Sequence, residues 1–542
     1  MPATHDVLNQ PPRLQDRNLF ADDLALQQAA RREGAAAFED ALGILGRKAG
    51  SAEVIQWGFD ANENLPVLQT HDRTGHRVDR VHYHPSWHDL LRLSTEAGLH
   101  GAVWADPRPG AHVARAAGFI LVAQAEAGHG CPISMTYSVV PPLRSAPELA
   151  ARWEPKVTTR AYDERFLPIE QKTGALMGMA MTEKQGGSDV RANTTRATPA
   201  EPDGIGFPYR LTGHKWFCSA PMCDGFLVLA QAPKGLTCFL LPRVLPDATA
   251  NGFFIQRLKN KLGNKSNASS EIELENALAW RVGEEGRGVP TIIEMTNHTR
   301  LDCTLGAAGI MRGGLVQAIH HARHRSTFGQ RLVDHALMKN VLADLAIESE
   351  ATTLVALRLA RAFENRDPSS SDAAFRRIAT PIAKYWTTKR SMAHVAEAME
   401  CLGGNGYTED FPLARMYRES PVNSIWEGSG NVICLDVLRA LRRTPEVFGV
   451  LRDEILLSGG QNPAFDEHWS EVETLVQTGA DSQARRLVEG LALALEASLV
   501  VRFSPEAVAN AFCASRLDGG EYAFGTLPEG TDFNAVLDRA LP

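Results

Sequence analysis

Hydrophobic and polar positions along the chain fall into three textures. Asn18-Leu19-Phe20-Ala21-Asp22-Asp23 opens a helical pattern through Leu24, Leu26 and Ala30 to Gly34, and Arg31-Arg32 near its end suit the helix dipole. From about 84 to 180 the pattern is again helical, punctuated by Pro and Gly. Trp87, Leu90, Leu91 and Leu93 stand at helical spacing, as do Val113, Ala116, Phe119, Ile120 and Val122. Near Leu176 the texture changes. Between about 177 and 280 short, turn-rich segments predict strands: Tyr209-Arg210-Leu211-Thr212, Phe226-Leu227-Val228-Leu229-Ala230 and Thr237-Cys238-Phe239-Leu240-Leu241. Glu271-Ile272-Glu273-Leu274-Glu275 alternates strictly, as a half-buried strand should. Together they predict a small barrel or sandwich of about 100 residues. Helical faces return from about 287 to 445, with Leu337, Val341, Leu342, Leu345, Ala346, Leu354, Leu357 and Leu359 on broad stripes. Arg366-Asp367-Pro368-Ser369-Ser370-Ser371-Asp372 reads as a loop. Residues 441–542 add a Leu- and Ala-rich helical segment with loops around Gly459-Gly460 and Gly519-Gly520. No repeat or low-complexity tract interrupts this order.

Length and composition narrow the class. A chain of 542 residues predicts two to four domains, at roughly 100–200 residues each. With 44% hydrophobic and 22% charged residues, it has the balance of a soluble globular protein. No apolar run approaches the roughly 18 to 20 residues of a membrane span, so no membrane partner is expected. The opening Met-Pro-Ala-Thr-His-Asp has neither a basic nor an apolar stretch, so a secretory signal is not expected. Eight scattered cysteines without a Cys-x-x-Cys pair argue against a zinc site or disulfide framework and suit a reducing cytoplasm. The net charge of −8 gives no general attraction to nucleic acid. Residues 441–542 hold eight Lys plus Arg against sixteen Asp plus Glu, which disfavours non-specific duplex binding. Local clusters such as Arg439-Arg442-Arg443 and Arg485-Arg486 could still meet phosphates, or be solvated faces.

Five stretches could carry chemistry. Ser424-Ile425-Trp426-Glu427-Gly428-Ser429-Gly430-Asn431 sets one carboxylate between a bulky aromatic and small residues that allow close approach. The alternative is a helix N-terminus, with Ser429 or Asn431 capping Val432-Ile433-Cys434-Leu435 and Glu427 solvated. Met181-Thr182-Glu183-Lys184-Gln185-Gly186-Gly187-Ser188-Asp189 offers hydroxyls and backbone N–H groups to a heteroaromatic ring or phosphate, or is an ordinary turn. Gly213-His214-Lys215-Trp216-Phe217-Cys218-Ser219 sets two aromatics beside a hydroxyl, or fills a barrel core. In Arg323-His324-Arg325-Ser326-Thr327-Phe328-Gly329, Arg325 and Thr327 could grip a pyrophosphate. His320 and His324 stand i, i+4, but without a nearby carboxylate or cysteine they read as surface or packing histidines and no metal is expected. Leu402-Gly403-Gly404-Asn405-Gly406-Tyr407 lacks Gly-x-Gly-x-x-Gly and follows a helix, which argues against a Rossmann turn. No Walker sequence, Gly-x-Ser-x-Gly elbow or His-Glu-x-x-His helix occurs.

In conjunction these motifs carry a resemblance. Thr-Glu-x-x-x-Gly-Ser-Asp at a helical-to-β junction, Arg-x-x-Phe-Gly, Gly-Gly-x-Gly and an aromatic-Glu-Gly segment, in this order from about 80 to 440, resemble the acyl-CoA dehydrogenase family. The wording of Met-Thr-Glu-Lys-Gln-Gly-Gly-Ser-Asp-Val, Gly-His-Lys-Trp-Phe, Lys-Leu-Gly-Asn-Lys-Ser-Asn-Ala-Ser (261–269) and Pro-Val-Asn-Ser-Ile-Trp-Glu-Gly-Ser-Gly-Asn is similar to its alkylation-response branch, the AidB branch. With that branch's two extensions the likeness covers nearly the whole chain.

The resemblance implies a multidomain α+β fold: an N-terminal extension (1–50), a helical domain (51–178), a central β-barrel (179–284), a helical bundle (285–440) and a C-terminal helical domain (441–542). It implies FAD at a subunit interface of a homotetramer. Met181, Thr182 and Ser188 would line the flavin. Trp216, Phe217 and Ser219 would flank its ring and phosphate. Arg325, Phe328, Gly403 and Gly404 would reach a neighbour's dinucleotide, and Ser424, Ile425, Trp426, Gly428, Ser429 and Asn431 would cross the cofactor around Glu427. Glu427 would take the α-proton of an acyl-CoA thioester while the β-hydrogen leaves as hydride, a role that desolvation against Trp426 would favour. The rival base position is Thr299, which cannot serve, and Arg300 matches a substrate-side arginine. An electron-accepting flavoprotein is the implied partner. Three departures stand out: Lys184 for proline, Glu400 for glutamine and Trp426 for tyrosine. They follow the AidB branch, where the likeness implies weak turnover and, as the alternative function, a DNA-associated flavoprotein protecting against alkylation damage.

Overall fold

The computed structural model describes residues 4–518 and 523–541, so the Gly519-Gly520 loop lies outside the described residues. The chain forms two compact units that interleave along the sequence. One comprises Glu53–Ala111 and Glu126–Asp302, the other Met1–Ala52, His112–Ala125 and Cys303–Pro542. Among the described residues no helix is long and apolar enough to cross a membrane.

The first unit is built on a barrel. Arg196–Pro199 pairs with Pro208–Ser219, that strand with Ser269–Val282, and so on through Gly235–Pro242 and Gly225–Ala232. Arg196 opposite Gln231 closes the ring. Met177–Ala180 joins it in parallel and Phe253–Leu258 in antiparallel pairing. Between the two readings open in the sequence, sandwich or barrel, closure decides for the barrel and leaves the ring strands without free edges. The alternation at 271–275 holds, with Ile272 and Leu274 buried and Glu273 and Glu275 exposed. A hairpin of Val67–His71 and Arg77–His82 also belongs to this unit. Its strands are rich in Gln, Thr, His, Asp and Arg, so no apolar alternation announces them. The Asp72 carboxylate fixes the turn by accepting from Thr74 N and His76 N.

The second unit is helical. Ala336–Ala362, Ser371–Cys401, Pro412–Asn423, Gly430–Arg443 and Ala484–Phe503 are its main helices. The helix expected to begin after residue 372 starts at Ser371, because the Ser370 hydroxyl accepts from Ala373 N and caps it. The N-terminal helix is shorter than its pattern: Leu24–Ala30 is capped by Asp23, and Gly34 at φ 110° breaks the continuation. Buried ion pairs fasten the C-terminal helices to the long ones. Arg516 meets Asp344 and Glu348, Arg390 also meets Glu348, and Arg539 meets Glu350. Burial pushes the Glu348 carboxyl up, but the two guanidinia outweigh it and hold it down to about 2.

Candidate functional site

The structure lays two of the sequence motifs against each other in the barrel unit. Met181, Thr182 and Ser188 lie on the loop that follows the strand Met177–Ala180, and Trp216, Phe217 and Ser219 on the strand Pro208–Ser219. Trp216 N donates to Thr182 O at 2.8 Å, and Lys184 N to His214 Nε2 at 3.0 Å. Beneath them a buried ion pair makes the junction rigid. Lys215 Nζ donates to Glu183 Oε1 at 2.8 Å and to Leu229 O at 2.7 Å, and both side chains are fully buried. Glu183 also accepts from Thr194 N, Thr194 Oγ1 and Thr195 N. Burial alone would raise the Glu183 carboxyl; Lys215 and these donors bring it down to about 2. Burial lowers the Lys215 ammonium in turn, with Glu183 pulling against it.

Around this junction the surface is aromatic and cationic. Lys259 Nζ sits 3.3 Å from the centre of the Trp216 ring and 4.7 Å from that of the half-exposed Phe217. Ser219 Oγ lies 3.2 Å from Ser269 Oγ, which also accepts from Lys261 Nζ at 3.2 Å. Burial pulls the Lys261 ammonium down to about 8, against Cys131 and Glu126. On the helix Gly288–His324, Thr299 is buried and donates to Thr296 O, and Arg300 is half-buried.

The remaining residues belong to the helical unit. Arg325 precedes a two-residue-strand hairpin, Ser326–Thr327 with Gln330–Arg331, and Phe328 at its tip is 99% exposed with φ 51°. Gly403 and Gly404 lie in the turn Gly403–Tyr407, and a Cβ at either would meet nothing within 4 Å. An N-terminal strap ties these pieces together, which sequence reasoning missed. The Asn9 amide bridges Ser326 N and Ser326 O at 2.7 and 2.8 Å, Arg325 Nη1 donates to Asn9 O at 2.9 Å, and Asn405 Nδ2 donates to Gln10 Oε1 at 3.1 Å. Arg325, expected from the sequence to grip a pyrophosphate, is thus tied to backbone. His320 Nε2 lies 2.8 Å from Pro12 O and His324 Nδ1 2.8 Å from His320 O, so each ring is hydrogen-bonded to backbone, His320 half-buried and His324 on the surface. Long-range pairing of this kind leaves no periodic trace in the sequence.

The segment around Glu427 is the link between two helices. Ser424 ends Pro412–Asn423, its hydroxyl donating to Pro421 O, and Ile425 is 64% exposed. Gly430–Arg443 begins beyond Ser429, whose side chain makes no capping bond, while Asn431 Oδ1 accepts from Arg485 Nε at 2.8 Å. Ser429 thus stands at the N-cap position, as the helix-start alternative has it, but without a side-chain capping bond, and Glu427 is half-buried rather than solvated. Glu427 is half-buried at φ 57°, followed by Gly428 at φ 105°. A left-handed conformation costs a non-glycine residue about 1–2 kcal/mol, which the surroundings must offset. Trp426 Nε1 is buried with no hydrogen-bond partner. Lys384, buried in the helix Ser371–Cys401, donates to both Trp426 O and Gly428 O. Its sequence signal is a cation inside the apolar run Ile378-Ala379-Thr380-Pro381-Ile382-Ala383; that of Lys215 is a cation at the inward phase of a strand.

Comparisons with known proteins agree along the chain. Residues 9–164 match the family described as adaptive response protein AidB N-terminal domain. Residues 178–277 match the acyl-CoA dehydrogenase middle domain and 286–442 the acyl-CoA dehydrogenase C-terminal domain. The sequence is 44% identical to AidB of Escherichia coli (strain K12) over 517 residues, 95% of either chain. It is 31% identical to acyl-CoA dehydrogenase family member 11 of Caenorhabditis elegans over 489 residues, 87% of this chain and 77% of that one. The crystal structure of Caenorhabditis elegans ACDH-11 in complex with C11-CoA superposes with a TM-score of 0.84 at 26% identity, covering 99% of this chain and 97% of that one.

Proposed function

The chain belongs to the acyl-CoA dehydrogenase family, and we propose that it is an FAD-dependent oxidoreductase that removes the α- and β-hydrogens of an acyl-CoA thioester. The observation that carries this reading is Glu427: a half-buried carboxylate on a short helix link, in a strained left-handed conformation. Such strain persists where surrounding structure over-determines it, as at functional sites.

The residues present fit a flavin dinucleotide. Gly186, Gly403 and Gly404 expose bare backbone with nothing within 4 Å of a Cβ position. The unpartnered Trp426 Nε1 is a donor awaiting an acceptor. We assign Met181, Thr182, Ser188, Trp216, Phe217 and Ser219 to the flavin, and Arg325, Phe328, Gly403 and Gly404 to the dinucleotide. Arg300 is assigned to the thioester. When bound, FAD supplies the acceptor for the β-hydrogen as hydride. The protein's own part is the proton. A Glu427 carboxylate oxygen takes the α-proton and becomes the neutral acid. The same reading carries a homotetramer and an electron-accepting flavoprotein partner.

Anaerobic titration with acyl-CoAs, starting from medium-chain thioesters of the kind bound by the worm protein, tests the assignment through the flavin spectrum. Purified protein should be yellow and bleach, and Glu427→Gln should keep the colour but slow bleaching by about 10²–10⁴-fold. No bleaching by any thioester in a broad panel would remove the dehydrogenase reading. Nothing favours the DNA alternative. Arg442 already donates to Gly479 O and Asp481, and Arg485 to Asn431.

A further inference from the structure

Glu427 does not hold its conformation alone. The two peptide carbonyls that flank it, Trp426 O and Gly428 O, converge on one ammonium, Lys384 Nζ, at 2.8 and 2.6 Å. Lys384 stands mid-helix in Ser371–Cys401 and is 1% exposed. The helix itself is held at this point, since the Thr388 hydroxyl donates back to Lys384 O. The next residues of the link press on the same helix: a Cβ on Gly430 would come within 3.0 Å of Lys389 Cε and 3.3 Å of Tyr385 Cε2.

Trp426 O belongs to the peptide that precedes residue 427 and Gly428 O to the peptide that follows residue 428, so drawing both to a single point constrains the dihedrals of 427 and 428 together. That constraint takes in the φ and ψ of residue 427, and with them the direction of its Cα–Cβ bond. A charge-assisted donor is roughly twice as strong as a neutral one, and a lysine can satisfy several acceptors at once because it carries three N–H donors. We propose that Lys384 is a positioning residue for the base: it clamps the 426–428 backbone in the left-handed conformation that aims the Glu427 carboxylate. It acts through the main chain and is not itself a proton acceptor.

The proposal rests on the reading of Glu427 as base, and its test separates the two. Lys384→Met, loaded with FAD, is compared with the wild-type protein in two measurements. Hydrogen exchange followed by mass spectrometry needs no substrate. Amides of the 424–430 peptide should exchange at least tenfold faster in the variant, while peptides of the barrel unit are unchanged. Unchanged exchange at 424–430 overturns the proposal, whatever the enzyme's activity. In the second measurement, the rate of flavin reduction should fall about hundredfold, the order of loss expected from misplacing a reacting group by an ångström. The thioester dissociation constant, read from the flavin spectral shift, should stay within about threefold. Reduction at the wild-type rate, or loss of rate and binding in equal measure, overturns it. Where Lys384→Met does not accumulate as folded protein, Lys384→Gln, which keeps an N–H donor near the carbonyls, carries both measurements. It is expected to show at least a tenfold loss of rate at unchanged binding. Glu427→Gln decides the underlying reading: if it bleaches as fast as wild type, the base assignment fails even where the exchange result stands.

Discussion

Two loops carry most of the candidate residues, and each is fastened by one buried lysine, but in different ways. In the barrel unit Lys215 meets a carboxylate, Glu183, which is further wrapped by Thr194 and Thr195. In the helical unit Lys384 meets two neutral carbonyls of the loop it holds. The first arrangement is a pair of charges that need each other, because either one alone would be stranded in a dry interior. It anchors the loop through a side chain, Glu183, and leaves Lys184, Gln185, Gly187 and Ser188 exposed. The second fixes backbone dihedrals, which a side-chain anchor cannot do. The difference is one between holding a loop in place and holding it in a particular conformation. A surface that receives a ligand needs the former; a single carboxylate that must point in one direction needs the latter.

That contrast can be broken by measurement, beginning with the largest expected effect. Lys215→Met strands Glu183 and should cost about 3–5 kcal/mol in guanidinium unfolding, while Lys215→Met with Glu183→Leu should regain most of it. A single-variant cost under about 1 kcal/mol would mean that the pair does not anchor the barrel loop. The same pair makes an acid signature. The Glu183 carboxyl sits at about 2 in the folded protein, below its unfolded value, so its stabilisation is fully present above about pH 4.5 and is lost as pH falls towards 2. Melting temperature recorded from pH 5 down should drop across that window, and the drop should flatten in the Lys215→Met, Glu183→Leu double variant. Glu348, also held down to about 2, adds a parallel loss in the helical unit that this variant does not remove.

Lys384→Met should be the milder lesion in stability, about 1–3 kcal/mol for buried carbonyls left without a donor, measured by the same unfolding. A cost as large as that of Lys215→Met would erase the distinction between the two clamps. The smallest effect belongs to the N-terminal strap. Asn9→Ala removes the bridge to Ser326 and should cost about 1 kcal/mol, seen as a severalfold faster release of FAD by flavin fluorescence. Release at the wild-type rate would detach the strap from the cofactor.

Much of this was legible in the residues. The helical–β–helical order followed from periodicity, and the alternation at 271–275 predicted which residues face inward, because a strand's side chains alternate strictly. The motifs around Thr182, Trp216, Arg325, Gly403 and Glu427 were visible as unusual local chemistry, and their order along the chain matched that of one family. What stayed hidden has a common cause. The polar hairpin at 67–82 has no apolar alternation. Asn9 reaches Ser326 across more than 300 positions. Lys215 and Lys384 could be noticed as cations at inward positions, but their partners could not be named.

Most of the elements, the family and the candidate carboxylate are written in the residues, since local pattern and motif order are properties of the chain. Only the tertiary structure decided how Glu427 is held. The left-handed turn at 427 and the lysine that clamps it lie 43 positions apart in sequence. A hydrogen bond from a side chain to a distant carbonyl depends on where folding brings the backbone, because every residue presents the same carbonyl.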